Sequence, residues 1–318
     1  LPPFNSVIID EAHNLVKAAY EQFKIEWSEQ NVSYQLQSID PSHPRSNRWN
    51  NVLQHLGNLK PDINEARDQL KSSVKDSLQG LNVFMVELAQ ENQHRYTSSK
   101  SYQDKPILSN IDKIYASQKS NLDHLKKCFE KIFIVLDKLK KMVLETDPKR
   151  TEYPALHSIL ERGIETSSAL LNTLVHLTEN QNPEWVYWME GDYKNKGTSK
   201  EKLQLSLHAS LIDVSDTLHK SFFSRLESCI LTSATLRVDN SFSYFLGRVG
   251  LESNGNVLTK DFISPFHYNE QVSYFQYGGS KEISNDPVAV ADLIYYIHKT
   301  FNSRIMVLFT SIKALSDT

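Results

Sequence analysis

Apolar residues follow two different periods along this chain, and each period predicts a different kind of element. Short continuous apolar runs, such as residues 7–9 and 229–231, are typical of buried β-strands. Between these runs, large apolar residues recur every three or four positions over long stretches, which is the helical period. The pattern therefore predicts a long helical region bounded by short buried strands.

The glycine-poor middle of the chain predicts three long helices, at residues 64–92, 111–146 and 154–179. The second has the most regular apolar stripe, because its spacings alternate between three and four. This stripe consists of Leu122, Leu125, Phe129, Ile132, Leu136, Leu139 and Val143. Pro148 is expected to end the helix, because proline cannot continue the hydrogen-bond ladder. Three such helices with short connections predict a bundle that projects from a sheet domain.

Shorter segments with other patterns surround the predicted bundle. Residues 185–190 and 203–209 alternate between apolar and polar side chains, which predicts a β-hairpin. Residues 38–51, rich in Ser, Asn, Pro and Arg, predict an irregular connection. Beyond residue 250 the pattern predicts a strand, a helix and a strand, at residues 271–277, 287–300 and 305–309. This alternation is typical of an α/β domain.

Two carboxylates follow the first apolar run directly, in the sequence Asp10-Glu11-Ala12-His13. Open α/β sheets bind their ligands at the carboxyl ends of the strands. An aspartate at that edge can hold Mg²⁺ in a nucleoside-triphosphate site, and a neighbouring glutamate can deprotonate an attacking water. The alternative is a strand end with solvated surface acids. In this setting the four residues resemble motif II of a superfamily 2 helicase.

A hydroxyl-rich turn, Thr232-Ser233-Ala234-Thr235, follows the second apolar run. Ser-Ala-Thr at this place resembles helicase motif III, which links the nucleotide state to the grip on DNA. The alternative is a turn that caps the next helix, a role that Ser and Thr often have. The two motifs stand in the helicase order, and the long segment between them predicts a large insertion.

Five further segments narrow the resemblance to one branch of these helicases. They are residues 185–190, 203–209, 212–215, 264–271 and 304–311. In this order they resemble the DinG branch of the XPD/DinG helicases, over nearly the whole chain. The resemblance implies an ATP-dependent DNA helicase, with a role in DNA repair, that moves 5′ to 3′ on single-stranded DNA.

The fold class that the resemblance implies is α/β. Incomplete RecA-like motor domains, each built on a parallel sheet, would be interrupted by a large all-α insertion of the Arch type. Residues 1–19 and 184–250 would be part of the first motor domain, residues 20–183 the insertion, and residues 251–318 the start of the second motor domain.

No phosphate-binding loop of the form Gly-x-x-x-x-Gly-Lys-Ser/Thr occurs in the sequence. In the family this loop lies upstream of motif II. We therefore expect a fragment from the middle of a longer helicase, which alone would be inactive. The alternative is a degenerate relative that has lost its nucleotide site.

The resemblance also implies roles for single residues. Asp10 would hold Mg²⁺, Glu11 would activate the water that attacks the γ-phosphate, and His13 would couple this site to the Ser-Ala-Thr turn. The residues that would pass the nucleotide state to the DNA track are Thr232, Ser233, Ala234 and Thr235. Those at the DNA-facing strand end of the second motor domain would be Phe309, Thr310 and Ser311.

Lysines are frequent in the predicted helix at residues 111–146, and several tryptophans lie outside it. Lysines could track the phosphates of single-stranded DNA, and tryptophans could stack on its bases. The side chains considered for this are Lys126, Lys138, Lys141, Trp49, Trp185 and Trp188. The favoured alternative is a solvated helix face for the lysines and packing at a domain junction for the tryptophans.

Composition refines this picture in two respects. A net charge of −3 and 40% hydrophobic residues among 318 fit a globular cytoplasmic protein that lacks an overall positive charge. Cys128 and Cys229 are too few for an iron–sulfur cluster with four cysteine ligands, so a cluster would use cysteines outside this chain. No apolar stretch approaches the roughly 20 residues of a membrane span. We expect a monomer that binds ATP, Mg²⁺ and single-stranded DNA, and no membrane.

Two other functions stay open. Some DinG-like proteins carry an N-terminal exonuclease domain and act mainly as nucleases, which an acidic exonuclease motif upstream of Leu1 would indicate. Alternatively, the helical segment is an interaction scaffold on an inactive motor. An intact phosphate-binding loop upstream would count against this scaffold.

Overall fold

The structure is a computed structural model. It describes residues 4–96, 107–179, 181–194, 202–252, 255–274, 276, 286–302 and 304–318. This part of the chain is mixed α/β, with a small parallel sheet and a large helical region. The chain divides into two compact units, Leu1–Val257 and Leu258–Thr318.

The strands and helices alternate in blocks. The strands are β1 (Ser6–Ile9), β2 (Ile25–Ser28), β3 (Trp185–Lys194), β4 (Lys202–Leu211) and β5 (Ser228–Leu231). The helices of the first unit are α1 (Leu15–Phe23), α2 (Glu29–Ser38), α3 (Asn47–Leu59), α4 (Pro61–Asn92), α5 (Ile111–Ile114), α6 (Lys119–Thr146), α7 (Pro154–Thr178), α8 (Ser215–Ser221) and α9 (Ser243–Val249). Those of the second unit are α10 (Tyr268–Gln271), α11 (Pro287–Phe301) and α12 (Ile312–Asp317).

Strands β1 and β5 form a parallel pair, although most of the first unit separates them in sequence. Ile9 lies opposite Leu231, and both pack against a small core. The buried residues of this core are Ala12, Ala19, Val214, Leu218, Phe223, Leu236, Phe245, Val249 and Leu251. On the other face Ile8 and Ile230 lie side by side, with exposed fractions of 71% and 56%. Parallel pairing brings the residues that follow both strands to the same edge.

The remaining three strands form a separate antiparallel sheet in the order β2-β4-β3. The predicted hairpin at residues 185–190 and 203–209 is confirmed, because β3 and β4 pair along their whole length. One face of this sheet is buried in the same core as the long helices. Its side chains there are Trp27, Tyr187, Met189, Leu203, Leu205, Leu207 and Ala209.

The three long helices predicted from the apolar period are confirmed as α4, α6 and α7. All seven residues of the apolar row predicted for α6 are buried, and α6 packs against both α4 and α7. Proline occupies the first turn of α4 and of α7, where its missing N–H has no helical partner in any case. Gly163 of α7 faces α6, since a Cβ built there would lie 3.2 Å from Leu136 Cδ1. A side chain at position 163 would therefore require Leu136 to shift.

Three local predictions were wrong. Residues 38–51 were expected to be irregular, but Pro44 begins a helical turn that leads into α3, whose Trp49 is buried. Residues 272–274 and 276 form no strand, while Phe275 and Tyr277 lie outside the described residues. Residues 305–309 also form no strand, because no other described segment of the second unit pairs with them. Apolar residues alone do not make a strand without a partner.

The predicted helix at residues 287–300 is confirmed as α11. Its first turn is capped by the Asp286 carboxylate, which accepts a hydrogen bond from the Ala289 N–H at 3.2 Å. None of the helices in the described part of the chain is both long enough and apolar enough to cross a membrane.

Candidate functional site

The parallel pairing of β1 and β5 continues past the strand ends and joins the two sequence motifs. Thr232 N–H donates to the Ile9 carbonyl at 2.9 Å, and Ala12 N–H donates to the Thr232 carbonyl at 2.9 Å. These backbone bonds fix the register of the two loops. Asp10, Glu11 and His13 are thereby brought beside Thr232 and Ser233.

The Asp10 carboxylate is held by two hydrogen bonds on one oxygen. Its Oδ1 accepts from Thr232 Oγ1 at 2.8 Å and from Glu11 N–H at 2.9 Å. The Thr232 hydroxyl and then the Glu11 amide lower the pKa of Asp10, and this outweighs the opposing effect of desolvation. The side chain is therefore ionised and oriented at neutral pH.

Ser233 connects the glutamate and the histidine of the first motif. Its hydroxyl donates to Glu11 Oε2 at 3.3 Å, and its oxygen lies 2.8 Å from His13 Nδ1. His13 Nδ1 also lies 3.2 Å from Glu11 Oε2. A hydroxyl that donates to Glu11 can only accept from His13, so this arrangement requires a proton on Nδ1. The three side chains form one network across the two loops.

The backbone at Glu11 adopts a left-handed conformation, with φ 49° and ψ 42°. This region disfavours residues with a Cβ and costs on the order of 1–3 kcal/mol, so the surrounding structure must hold it. The next residue, Ala12, is fully buried in the small core. Together these features turn the chain sharply after β1 and keep Glu11 next to Ser233.

A second set of contacts, which was not predicted from the sequence, involves residues outside the two motifs. The Tyr20 hydroxyl donates to the Ile212 carbonyl at 2.8 Å, and Arg248 Nη2 donates to the Tyr20 oxygen at 3.1 Å. The Arg248 guanidinium also lies over the Tyr20 ring, 5.7 Å from its centre. These contacts tie α1, the residue after β4 and α9 together. No local sequence signal marks them, because the partners are far apart along the chain.

Ala234 and Thr235 complete the turn after Ser233, and both are exposed. Thr235 N–H lies 3.4 Å from Ser233 Oγ, and no helix starts at this turn, since α9 begins at Ser243. Helix capping, the alternative explanation for this turn, is therefore wrong.

Phe309, Thr310 and Ser311 lie in the second unit, where Ser311 has a structural contact. Its hydroxyl accepts from the Ala314 N–H at 3.1 Å and caps α12. Phe309 is half-buried and Thr310 is exposed. A DNA-facing role for these three residues stays a prediction.

The three lysines considered as phosphate contacts do not share one environment. Lys126 is 19% exposed and bridges Asp123 at 2.7 Å and Glu179 at 2.5 Å, so it joins α6 to the end of α7. Lys141 pairs with Asp137 of the same helix at 2.6 Å, and Lys138 is exposed. The structure therefore gives Lys126 a packing role that the sequence did not show.

The tryptophans pack within the first unit. Trp49 is buried in the helical core, and Trp185 contacts the His176 ring edge-on at 4.6 Å. Trp188 stacks on His208 at 5.2 Å, while Lys24 Nζ lies 5.6 Å from the centre of its ring. These contacts favour packing over base stacking.

The residues in the loops that follow β1 and β5 fit a magnesium ion. No group of three or more His, Cys, Asp or Glu in the described residues could hold a metal alone. Mg²⁺ keeps several waters and binds proteins through one or two carboxylates together with substrate phosphates. The ionised Asp10 carboxylate can supply such a ligand, because both of its described hydrogen bonds go to Oδ1.

Burial raises the pKa of Cys128 and of Cys229, as expected for packed thiols.

Comparison with known proteins shows which proteins part of this chain is similar to. No protein-family model matches it. Two curated relatives confirm that the chain is related to the DinG branch of the XPD/DinG helicases. The 3′-5′ exonuclease DinG of Bacillus subtilis is 30% identical over 198 residues, which are 60% of this chain and 20% of that protein. The ATP-dependent DNA helicase YoaA of Haemophilus influenzae is 31% identical over 148 residues, which are 46% of this chain and 20% of that protein.

The matched segments thus cover about a fifth of the length of each relative. The activity, substrates and partners of a whole protein that contains this chain are therefore proposals.

Proposed function

We propose that this chain connects the nucleotide site with the DNA-binding surface of an ATP-dependent DNA helicase. This helicase would move 5′ to 3′ on single-stranded DNA. The observation that carries the proposal is the Ser233 hydroxyl, which contacts both Glu11 and His13. The name of one relative, an ATP-dependent DNA helicase, supports the same class of activity.

In this proposal the two carboxylates have different tasks. Asp10, oriented by the Thr232 hydroxyl, would hold Mg²⁺, which when bound neutralises charge on the β- and γ-phosphates of ATP. Glu11 would accept a proton from the attacking water as a general base. Thr232 would be a positioning residue, since its hydroxyl donates to Asp10.

Coupling would follow from the network around Ser233. Glu11 Oε2 accepts from Ser233, and a carboxylate oxygen that turns to a water must weaken that bond. The Ser233 oxygen would then keep its hydrogen bond from His13 Nδ1. The turn formed by residues 232–235 would therefore respond to whether Glu11 contacts Ser233 or the water. This turn would pass the change to the DNA track.

The remaining assignments belong to the same proposal. Residues 1–19 and 184–250 would form part of one RecA-like motor domain, residues 20–183 an Arch-type insertion, and residues 251–318 the start of the second motor domain. The protein would act as a cytoplasmic monomer. An iron–sulfur cluster would need cysteines outside this chain.

The test is Glu11→Gln in the full-length protein. The amide keeps the shape of the side chain but loses the base and the charge, so DNA-stimulated ATP hydrolysis should fall by several orders of magnitude. Nucleotide binding, measured with a fluorescent ATP analogue, should stay close to that of the wild type. ATP hydrolysis near the wild-type rate would remove Glu11 from the mechanism.

A second candidate is an exonuclease, because one relative carries that name. In this case DNA degradation would come from an upstream domain. A metal-dependent loss of nucleotides from a labelled single strand, unaffected by Glu11→Gln and independent of ATP, would favour it over the helicase.

A further inference from the structure

The outer face of α6 carries a row of lysines that neither α4 nor α7 covers. The row, called the α6 stripe here, consists of Lys127, Lys131, Ile134, Lys138 and Lys141. These positions are separated by four, three, four and three residues, so they lie on one side of the helix. All five side chains are exposed, whereas the opposite side of α6 forms the helical core.

The charges around the α6 stripe are only partly neutralised. Lys141 pairs with Asp137 at 2.6 Å. In the part of the chain that the structure describes, no ion pair involves Lys127, Lys131 or Lys138. Glu130 is an exposed acid beside them.

A nearby acid is engaged elsewhere. The Asp123 carboxylate contacts Lys126 at 2.7 Å, on the side of α6 that faces the end of α7. Asp123 also interacts electrostatically with Lys127, but its hydrogen bond goes to Lys126. Lys126, which was considered as a phosphate contact, is held by two acids, whereas Lys127 and Lys131 are exposed.

We propose that the α6 stripe binds the phosphate backbone of single-stranded DNA. Lys127, Lys131 and Lys138 span about 16 Å at 1.5 Å per residue, in a row that is one side chain wide. Such a row can follow a single phosphate backbone, whereas duplex DNA presents two. Ile134, 63% exposed between Lys131 and Lys138, offers an apolar contact to unstacked bases or sugars.

This site is separate from the loops after β1 and β5 that carry Asp10, Glu11 and Ser233. The proposal rests on the proposed function only in its choice of DNA as the partner. Its test contains no ATP and measures no hydrolysis. A negative result would therefore leave the roles of Asp10, Glu11 and Ser233 untouched, and an inactive motor would leave the α6 stripe untouched.

The experiment measures the binding of the chain to a fluorescein-labelled dT20 oligonucleotide by anisotropy, between 25 and 200 mM salt. These conditions are set by the strong salt dependence expected of phosphate contacts, about 0.7 in slope per contact on a single strand. The variant combines Lys127→Glu, Lys131→Glu and Lys138→Glu. We expect affinity to fall at least about tenfold at low salt and the slope of log K against log salt to flatten by about 2.

A matched control makes the same change of charge at three exposed lysines outside α6, namely Lys71→Glu, Lys113→Glu and Lys202→Glu. This control should lose much less affinity and keep its salt slope. Far-UV circular dichroism establishes that each variant is folded. If the triple variant does not fold, Lys131→Glu alone is measured, with an expected flattening of about 0.7.

Three results would overturn the proposal. They are no binding of dT20 by the unaltered chain, an unchanged affinity and slope in the α6 variant, or an equal loss in the matched control. An rU20 oligonucleotide separates DNA from RNA, which share the same phosphate chemistry. A loss confined to rU20 would assign the α6 stripe to RNA and also overturn the proposal.

Discussion

Truncation of Leu136 should destabilise the helical region strongly. This side chain is 1% exposed, and its two methyl groups face Gly163 of α7, which has no side chain to fill a vacated space. Leucine-to-alanine changes in cores cost about 2–5 kcal/mol, with the larger values where a cavity persists. We therefore expect Leu136→Ala to lower the free energy of unfolding by about 3–5 kcal/mol.

The assay is urea unfolding followed by circular dichroism at 222 nm, where the long helices dominate the signal. Ile134→Ala is the matched control, because it removes a similar aliphatic group from the same helix at a position that is 63% exposed. This control should change stability by less than about 0.5–1 kcal/mol. A loss below about 1 kcal/mol for Leu136→Ala, or equal losses in both variants, would refute the packing described for α6.

The contact between Leu136 and Gly163 can also be tested by a substitution of Gly163. Gly163→Val should destabilise the region, because the added Cβ would lie 3.2 Å from Leu136 Cδ1 and 3.3 Å from Ile39 Cγ2. Combined with Leu136→Ala, it should cost less than the sum of the two single changes, since each relieves part of the defect of the other. Strict additivity would mean that these residues do not touch.

Three further predictions concern other contacts. Ala12→Leu should destabilise the small core by about 1–3 kcal/mol in chemical unfolding, because Ala12 is fully buried, and a neutral effect would contradict that packing. Tyr20→Phe should raise hydrogen exchange at α1 and α9 without loss of the fold, because it removes the hydroxyl that joins Ile212 to Arg248; unchanged exchange would show that this contact is not made. Burial opposes ionisation of Asp147, but its hydrogen bonds from three backbone N–H groups prevail and lower its pKa below the usual value for an aspartate. The stabilisation by its carboxylate should therefore be complete at neutral pH and disappear as pH falls through the lowered pKa. Asp147→Asn should accordingly differ from wild type in urea unfolding at pH 7 and converge with it at low pH, whereas a constant difference would contradict the linkage.

The apolar period predicted the long helices correctly. It failed for short segments whose structure depends on pairing with a distant part of the chain. Every residue of the apolar row predicted for α6 is buried as expected, because a helix of 28 residues repeats its signal many times. Strand β2 has only four residues and was missed, since its place depends on pairing with β4. Residues 305–309 have a strand-like composition but no described partner, so the same kind of signal misled there.

The candidate site shows a similar division. The motif order indicated that residues 10–13 and 232–235 belong together, and the parallel register brings them into contact. The sequence could not show that Ser233 reaches both Glu11 and His13, because this depends on the left-handed turn at Glu11. It also could not show that Lys126 is held by an acid at the end of another helix.

The most direct test of the central claim is the coupling of ATP hydrolysis to strand separation in the full-length protein with Ser233→Ala. This change removes the hydroxyl between Glu11 and His13, while Ser233→Thr keeps a hydroxyl at the same position. We predict that Ser233→Ala hydrolyses many more ATP molecules for each base pair of a 5′-tailed duplex that it separates, and that Ser233→Thr stays near the wild-type ratio. An unchanged ratio in Ser233→Ala, with normal hydrolysis and unwinding, would contradict the account.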